Sequence, residues 1–240
     1  MKIPSAQKPN LVKLDTHTHT AGISLCSNVS ANLLARSYSA HGINTVLLTN
    51  HYTSRGIYSC GNYDALAANF CEEFVIAKRA GKLAGVCVLF GAEVALTSHY
   101  GYKEFLLFGI TPAFLRAYPN LCALTQSELY TLCCDHQILM YQAHPYRAEH
   151  GQSPADPEFM DGVEINRHPR FDDRMDKVIE FADRHGLGIS CGSDLHSITQ
   201  AGSDGIFVPP SVTTEKALAN YLRKTKRPSI FLDYKKKVQL

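Results

Sequence analysis

Short apolar runs alternate with longer amphipathic stretches along this chain, and the alternation lays out strands and helices. Leu11 to Asp15 predicts a first strand. Val29 to His41 predicts a helix, with Ser30 or Asn28 as N-cap and Gly42 as its stop. Ile43 to Thr49 is continuous and β-branched, bounded by Gly42 and Asn50, and predicts a buried strand. Asn62 to Leu83 carries Leu66, Phe70 and Phe74 at four-residue spacing, which predicts a long helix. Val86 to Phe90 and Glu104 to Ile110 predict strands. Thr111-Pro112 opens a short helix, and Thr125 with Glu128 makes a capping-box pattern for another through Asp135. Strands are then expected at Ile138 to Gln142, Gly162 to Ile165, Gly188 to Cys191, Gly205 to Val208 and Ser229 to Leu232. The helices Arg174 to His185 and Thr213 to Arg223 fall between them.

Parallel strands need crossover connections, and helices supply them. About seven such units, with no G-x-G-x-x-G turn after the first strand, favour a closed α/β barrel over a dinucleotide fold. No repeat, low-complexity tract or linker divides residues 1–240, so one domain is expected. The stretch from Arg147 to Asp161 is the longest polar one.

Composition narrows the class. The chain has 240 residues, 45% hydrophobic and 19% charged, with a formal net charge of +2. That excludes a disordered chain and a disulfide scaffold. It also argues against a dedicated nucleic-acid binder, since the one basic run, Lys235-Lys236-Lys237, reads as a solvated tail. The eight cysteines form no C-x-x-C pair, and Cys87 and Cys191 lie in apolar runs as buried small hydrophobes. Met1 to Asn10 lacks an apolar signal segment, and no apolar run reaches 18 residues. A cytoplasmic protein without a membrane anchor is the expectation.

The unusual count is eleven histidines, and their positions carry the chemistry. His17 and His19 follow strand one, His51 strand two, Glu93 strand three, and His144 the Ile138 strand. Glu164 and Asn166 end the next strand, and Asp194 and His196 follow the Gly188 strand. In an α/β barrel these strand ends form one mouth. Residues two apart on an extended segment point the same way, so His17 and His19 can share an ion. Asp194-Leu195-His196 repeats the device. Imidazole with carboxylate suits zinc, manganese or iron rather than calcium or magnesium. A carboxylate such as Glu93 can bridge two ions, and bridged ions activate water and clamp a phosphoryl group.

Asp15-Thr16-His17-Thr18-His19, Thr49-Asn50-His51, Gly91-Ala92-Glu93, Ala143-His144-Pro145 and Gly192-Ser193-Asp194-Leu195-His196 stand in this order. Together they resemble the motifs of the PHP (polymerase and histidinol phosphatase) family, from about Leu11 to Phe207. The resemblance implies a distorted (β/α)7 TIM-like barrel, two or three divalent metal ions (zinc, manganese or iron) and phosphoester hydrolysis. It implies His17, His19, Glu93 and Asp194 for a first ion, Glu93 and His144 for a second, and His51 and His196 for a third. Three departures matter. The stretch after the H-x-H pair, Ala21 to Asn28, has no carboxylate or imidazole, and Cys26 is its one alternative ligand. Asn50 stands where the family commonly has Asp. A further His is expected between Glu93 and His144, with His99 the first candidate and His136 the second.

The resemblance thus implies a small-molecule phosphomonoester as substrate, histidinol-phosphate-like or a nucleotide. Arg147 would hold the phosphate bidentately, with Arg167 and His168 behind it. His196 or His51 would protonate the leaving alkoxide. Asp15 would orient a histidine ligand through its other ring nitrogen. Alternatives are a protein-tyrosine or nucleic-acid phosphoesterase, and a catalytically weak metal-binding module that senses a ligand or serves assembly. An amidohydrolase would want a strand-end Lys, and the motifs contain none. The sequence leaves the oligomeric state open.

Overall fold

The structure is a computed structural model and describes residues 10–54, 62–96, 103–147, 153–167 and 174–232. The first half runs β1 (Val12–Thr18), α1 (Ala31–Ala40), β2 (Thr45–Leu48), β3 (His51–Tyr52), α2 (Tyr63–Ala84), β4 (Cys87–Phe90) and β5 (Ala92–Leu96). Then come β6 (Lys103–Phe108), α3 (Pro112–Ala117), α4 (Gln126–Asp135), β7 (Leu139–Gln142) and β8 (Gly162–Asn166). The chain continues with α5 (Met175–His185), β9 (Gly188–Gly192), β10 (Asp204–Val208), α6 (Glu215–Thr225) and β11 (Ile230–Leu232).

Local chemistry explains the helix ends. Ser30, Asn62, Thr111, Thr125 and Thr214 each accept a backbone N–H from the first helical turn. Thr125 and Glu128 complete the reciprocal capping box. Gly85 and Gly186 end α2 and α5 in the left-handed region. The four-residue stripe of α2 is buried, and Phe70 and Phe74 meet Phe90 edge-on at 5.7 and 4.8 Å. Cys191 is buried as expected, whereas Cys87 is only half-buried.

The strands make two sheets, β11-β10-β1-β2-β4 and β3-β5-β6-β7-β8-β9. Of the expected distorted (β/α)7 TIM-like barrel, the structure shows a mixed α/β domain of two sheets, and the described ladders do not close. β6 is antiparallel to both β5 and β7, and β10 is antiparallel to β1. For β5 and β6 the physical reason is connection length: the six residues between Leu96 and Lys103 are too few for a parallel crossover. Hydrogen bonds nevertheless run on through the bends where β2 passes into β3 and β4 into β5. Thr49 N–H donates to Thr18 O, Gly91 N–H to Leu48 O and Glu93 N–H to Asn50 O, at 2.9, 2.9 and 3.1 Å. A parallel bridge also joins Thr18 to Leu195, just past β9. These junctions are where the polar residues gather. Among the described residues, no helix is long and apolar enough to cross a membrane.

Candidate metal centre

The junctions gather donors from widely separated parts of the chain. β1 presents His17 and His19 directly follows it, β3 begins with His51, β5 presents Glu93, and β6 presents Glu104. His144 follows β7, Glu164 and Asn166 lie on β8, and Asp194 and His196 follow β9. His17, His19, Glu93 and Glu164 are fully buried. The side chains of His51 and His196 remain 22% and 21% exposed, so this edge opens to solvent.

Glu93 lies at the middle. Its Oε1 is 3.3 Å from His17 Nε2 and 3.1 Å from His144 Nε2. Its Oε2 is 2.7 Å from His51 Nδ1 and 3.5 Å from His19 Nε2. Asp194 Oδ1 is 3.1 Å from His19 Nε2, 3.4 Å from His17 Nε2 and 3.3 Å from His196 Nδ1. Four sets of three donors lie within 4.8 Å of one another. They are His17, His19 and Glu93; His17, His144 and Asp194; His51, Glu93 and Glu104; and His19, His51 and His196.

Apart from the hydrogen bond between His144 Nε2 and Glu93 Oε1, most of these close contacts are not hydrogen bonds. His17 Nε2, His19 Nε2, His51 Nδ1, Glu93 Oε2 and Asp194 Oδ1 are buried and make none of acceptable geometry. Buried polar atoms are nearly always paired, and leaving one unpaired costs about 1–3 kcal/mol. Five in one cluster fit a shared cation, and imidazole nitrogen with carboxylate oxygen is the donor set of zinc, manganese or iron.

Surrounding groups fix the donors. His17 Nδ1 meets Glu164 Oε1 at 2.9 Å, and His144 N–H donates to Glu164 Oε2 at 3.3 Å. Arg147 donates to Asp194 Oδ2 and to Asn166 Oδ1, both at 2.8 Å. Gly192 lets β9 approach β1, because a Cβ there would sit 2.4 Å from His17 Cβ. His144 and Asp194 adopt φ of 29° and 51°, a left-handed backbone that costs about 1–3 kcal/mol in non-glycine residues. Strain at two donors fits a site whose geometry outranks local comfort.

Burial opposes charge on every member, and neighbours decide each outcome. His17 and His51 overcome burial to hold Glu93 well below the usual carboxylate range. His17 and Arg147 do the same for Asp194. Burial would depress His17, but Glu164, Glu93 and Asp194 raise it well above an ordinary imidazole. Burial, then His51 and His196, push His19 well below. His196 reaches about 10 against burial, through Asp194 and Cys26. The Cys26 thiol falls to about 6, because hydrogen bonds with His196 and His51 outweigh its burial.

The structure therefore brings together His17, His19, His51, Glu93, His144, Asp194 and His196. His99 and His168 lie outside the described residues. His136 is elsewhere, with its Nε2 3.1 Å from the Tyr118 hydroxyl. Asp15 touches no histidine ring in its hydrogen bonds: it accepts from Tyr38 Oη at 2.6 Å, Ser193 N at 3.0 Å and His17 N at 3.1 Å. Burial raises its carboxyl to about 7. The orienting role expected of Asp15 falls to Glu164. Arg147 is buried against Asp194 and Asn166 rather than extended into an open mouth. Arg167 pairs with Asp204. Asn50 uses both amide atoms, accepting from Thr20 N and Ser24 Oγ and donating to Thr20 Oγ1. A carboxylate could not make that last donation.

Sequence reasoning missed Glu104 and assigned no role to Glu164. Glu104 was hidden because β6 is antiparallel: its start, not its end, lies beside Ala95 at the mouth. The available signal was a carboxylate inside or at the start of an apolar run, which burial forces to find a partner.

No protein-family model matches the chain, and neither does any curated protein. Solved structures do. A two-domain protein from Bacteroides vulgatus, containing a predicted PHP-like metal-dependent phosphoesterase, is 15% identical with a TM-score of 0.66. The match covers 97% of this chain and 68% of that one. PsfC from Pseudomonas syringae is 17% identical with a TM-score of 0.69, covering 95% and 94%. An amidohydrolase from Chromobacterium violaceum, with bound sulfate and no metal, is 14% identical with a TM-score of 0.54, covering 92% and 98%. At such identities the likeness shows the fold: this chain has the fold of PHP-like metal-dependent phosphoesterases.

Proposed function

We propose that the chain is a metal-dependent hydrolase acting on small phosphomonoesters. The observation that carries this reading is the set of five buried, unpaired donor atoms on His17, His19, His51, Glu93 and Asp194. Divalent ions, when bound, lower the pKa of water and neutralise charge developing on phosphoryl oxygens. His17, His19, Glu93 and Asp194 would hold a first ion, and Glu93, Glu104 and His144 a second. His51 and His196 would serve a third.

The chain's other residues prepare those donors. Glu164 holds the His17 ring so that Nε2 faces the cluster. Arg147 occupies Asp194 Oδ2 and leaves Oδ1 toward the histidines. His196 or His51, at the open edge, would give a proton to a leaving alkoxide where that ring is not committed to an ion. The near-neutral charge favours a small phosphoester over a long polynucleotide.

Turnover of p-nitrophenyl phosphate before chelation, after it, and after return of Mn²⁺ or Zn²⁺ tests the proposal. Loss and recovery of activity supports it. Ion binding without turnover on a broad phosphoester panel would favour a ligand-sensing module. The amidohydrolase among the structural neighbours favours a second reading, C–N bond hydrolysis, and an amide panel in the same assay separates the two.

A further inference from the structure

We infer that Cys26 completes a thiolate-bearing cation position with His51 and His196, different in donor chemistry from the carboxylate-rich position around Glu93. This rests on the metal-centre reading above and concerns one corner of it.

Three observations converge. First, Cys26 Sγ lies 3.1 Å from His196 Nε2, and that nitrogen is 3.3 Å from His51 Nε2. Second, the δ nitrogens of both rings face oxygens. His196 Nδ1 is 2.9 Å from the Asp194 carbonyl, and His51 Nδ1 is 2.7 Å from Glu93 Oε2. A carbonyl only accepts, so Nδ1 of His196 carries the proton and Nε2 of the neutral ring offers its lone pair to this corner. Third, the buried, unpartnered Nε2 of His19 belongs to the same group of imidazoles as His51 and His196.

The spacing fits a small cation. Tetrahedral zinc bonds of about 2.05 Å to nitrogen and 2.3 Å to sulfur give edges of about 3.3 Å for N–N and about 3.6 Å for N–S. The N–N edge is present, and the sulfur needs to withdraw by about half an ångström. The loop that carries Cys26 is tied to both histidine segments. His51 N–H donates to Ser24 Oγ at 3.1 Å, and Asn28 N–H to His196 O at 3.0 Å. Sulfur with imidazole selects zinc, cobalt or ferrous iron over magnesium or calcium, whereas Glu93 and Glu104 also suit manganese. The centre would then hold unlike ions in its two corners.

Loading the full chain with Co²⁺ tests this, because a thiolate ligand gives a near-ultraviolet charge-transfer band that imidazole and carboxylate do not. The wild type should show the band, and Cys26→Ser should lose it together with one bound ion. Peptide mapping after iodoacetamide should show Cys26 protected about tenfold or more by the ion. An identical band and ion count in Cys26→Ser, or equal alkylation with and without the ion, overturns the inference while leaving the rest of the centre intact. Failure of the wild type to retain any ion overturns the metal-centre reading and this inference with it.

Discussion

Both carboxylate oxygens of Glu164 face a single atom of His17, with Nδ1 2.9 Å from Oε1 and 3.0 Å from Oε2. An acceptor-only pair of oxygens requires Nδ1 to carry a proton, which directs the Nε2 lone pair at Glu93 and Asp194. Glu164→Gln keeps the volume but loses the charge and one acceptor. We expect about a 10–100-fold loss of metal affinity, measured by competition with a chromophoric chelator. Wild-type affinity would remove Glu164 from this role.

Gly192 supplies the close approach that places His17. A methyl group there would meet His17 Cβ at 2.4 Å and its backbone nitrogen at 2.7 Å, and backbone cannot swing aside. Gly192→Ala should cost about 1–3 kcal/mol of stability, read as a lower Tm, and should weaken ion retention. A variant as stable and as well loaded as the wild type would contradict the packing argument.

Arg147 spans Asp194 and Asn166 with two nitrogens of its planar fork, a geometry lysine cannot reproduce. Arg147→Lys should therefore lower kcat and release ions with KM little changed. A raised KM with full ion retention would return the guanidinium to the phosphate.

Proton release gives a fourth check. Without an ion, burial opposes protonation of His17, His51 and His196, but nearby carboxylates outweigh it and hold all three above the usual imidazole value. The His196 ring, held at about 10, is an imidazolium at pH 7, and a cation that takes its Nε2 must expel that proton. Loading should release at least about one proton per chain, and affinity should rise from pH 6 to pH 8. An indicator dye in weak buffer reads the first quantity. Affinity independent of pH across that range would mean the imidazoles are not ligands.

Much of this arrangement was legible in the residues themselves. The stripe Leu66, Phe70 and Phe74, the Thr125–Glu128 box and the β-branched run before His51 are local signals, and they produced α2, α4 and β2 near their expected bounds. H-x-H spacing marked donors that an extended backbone turns to one side, and D-x-H spacing marked two more, although Asp194 reaches the site through a left-handed backbone. Strand direction was not legible, since periodicity says nothing of whether a neighbour is parallel. That blindness lost β5 as a separate strand, the antiparallel turn into β6 and, with it, Glu104. Asp15 misled as well. Nearness to His17 suggested a ring contact, but the Asp15 carboxylate is taken up by Tyr38 Oη, Ser193 N and His17 N, and the ring partner came from β8, 147 residues away.

The central claim is that the junction of the two sheets is a metal centre that performs hydrolysis. Elemental analysis and phosphomonoester turnover on one sample, for wild type and His17→Ala, test it most directly. The account predicts two or three ions per wild-type chain with turnover, and loss of both in a variant whose circular dichroism remains that of the folded domain. A wild-type chain that holds no ion after reconstitution with Mn²⁺ or Zn²⁺, or a His17→Ala variant with full activity, would contradict it.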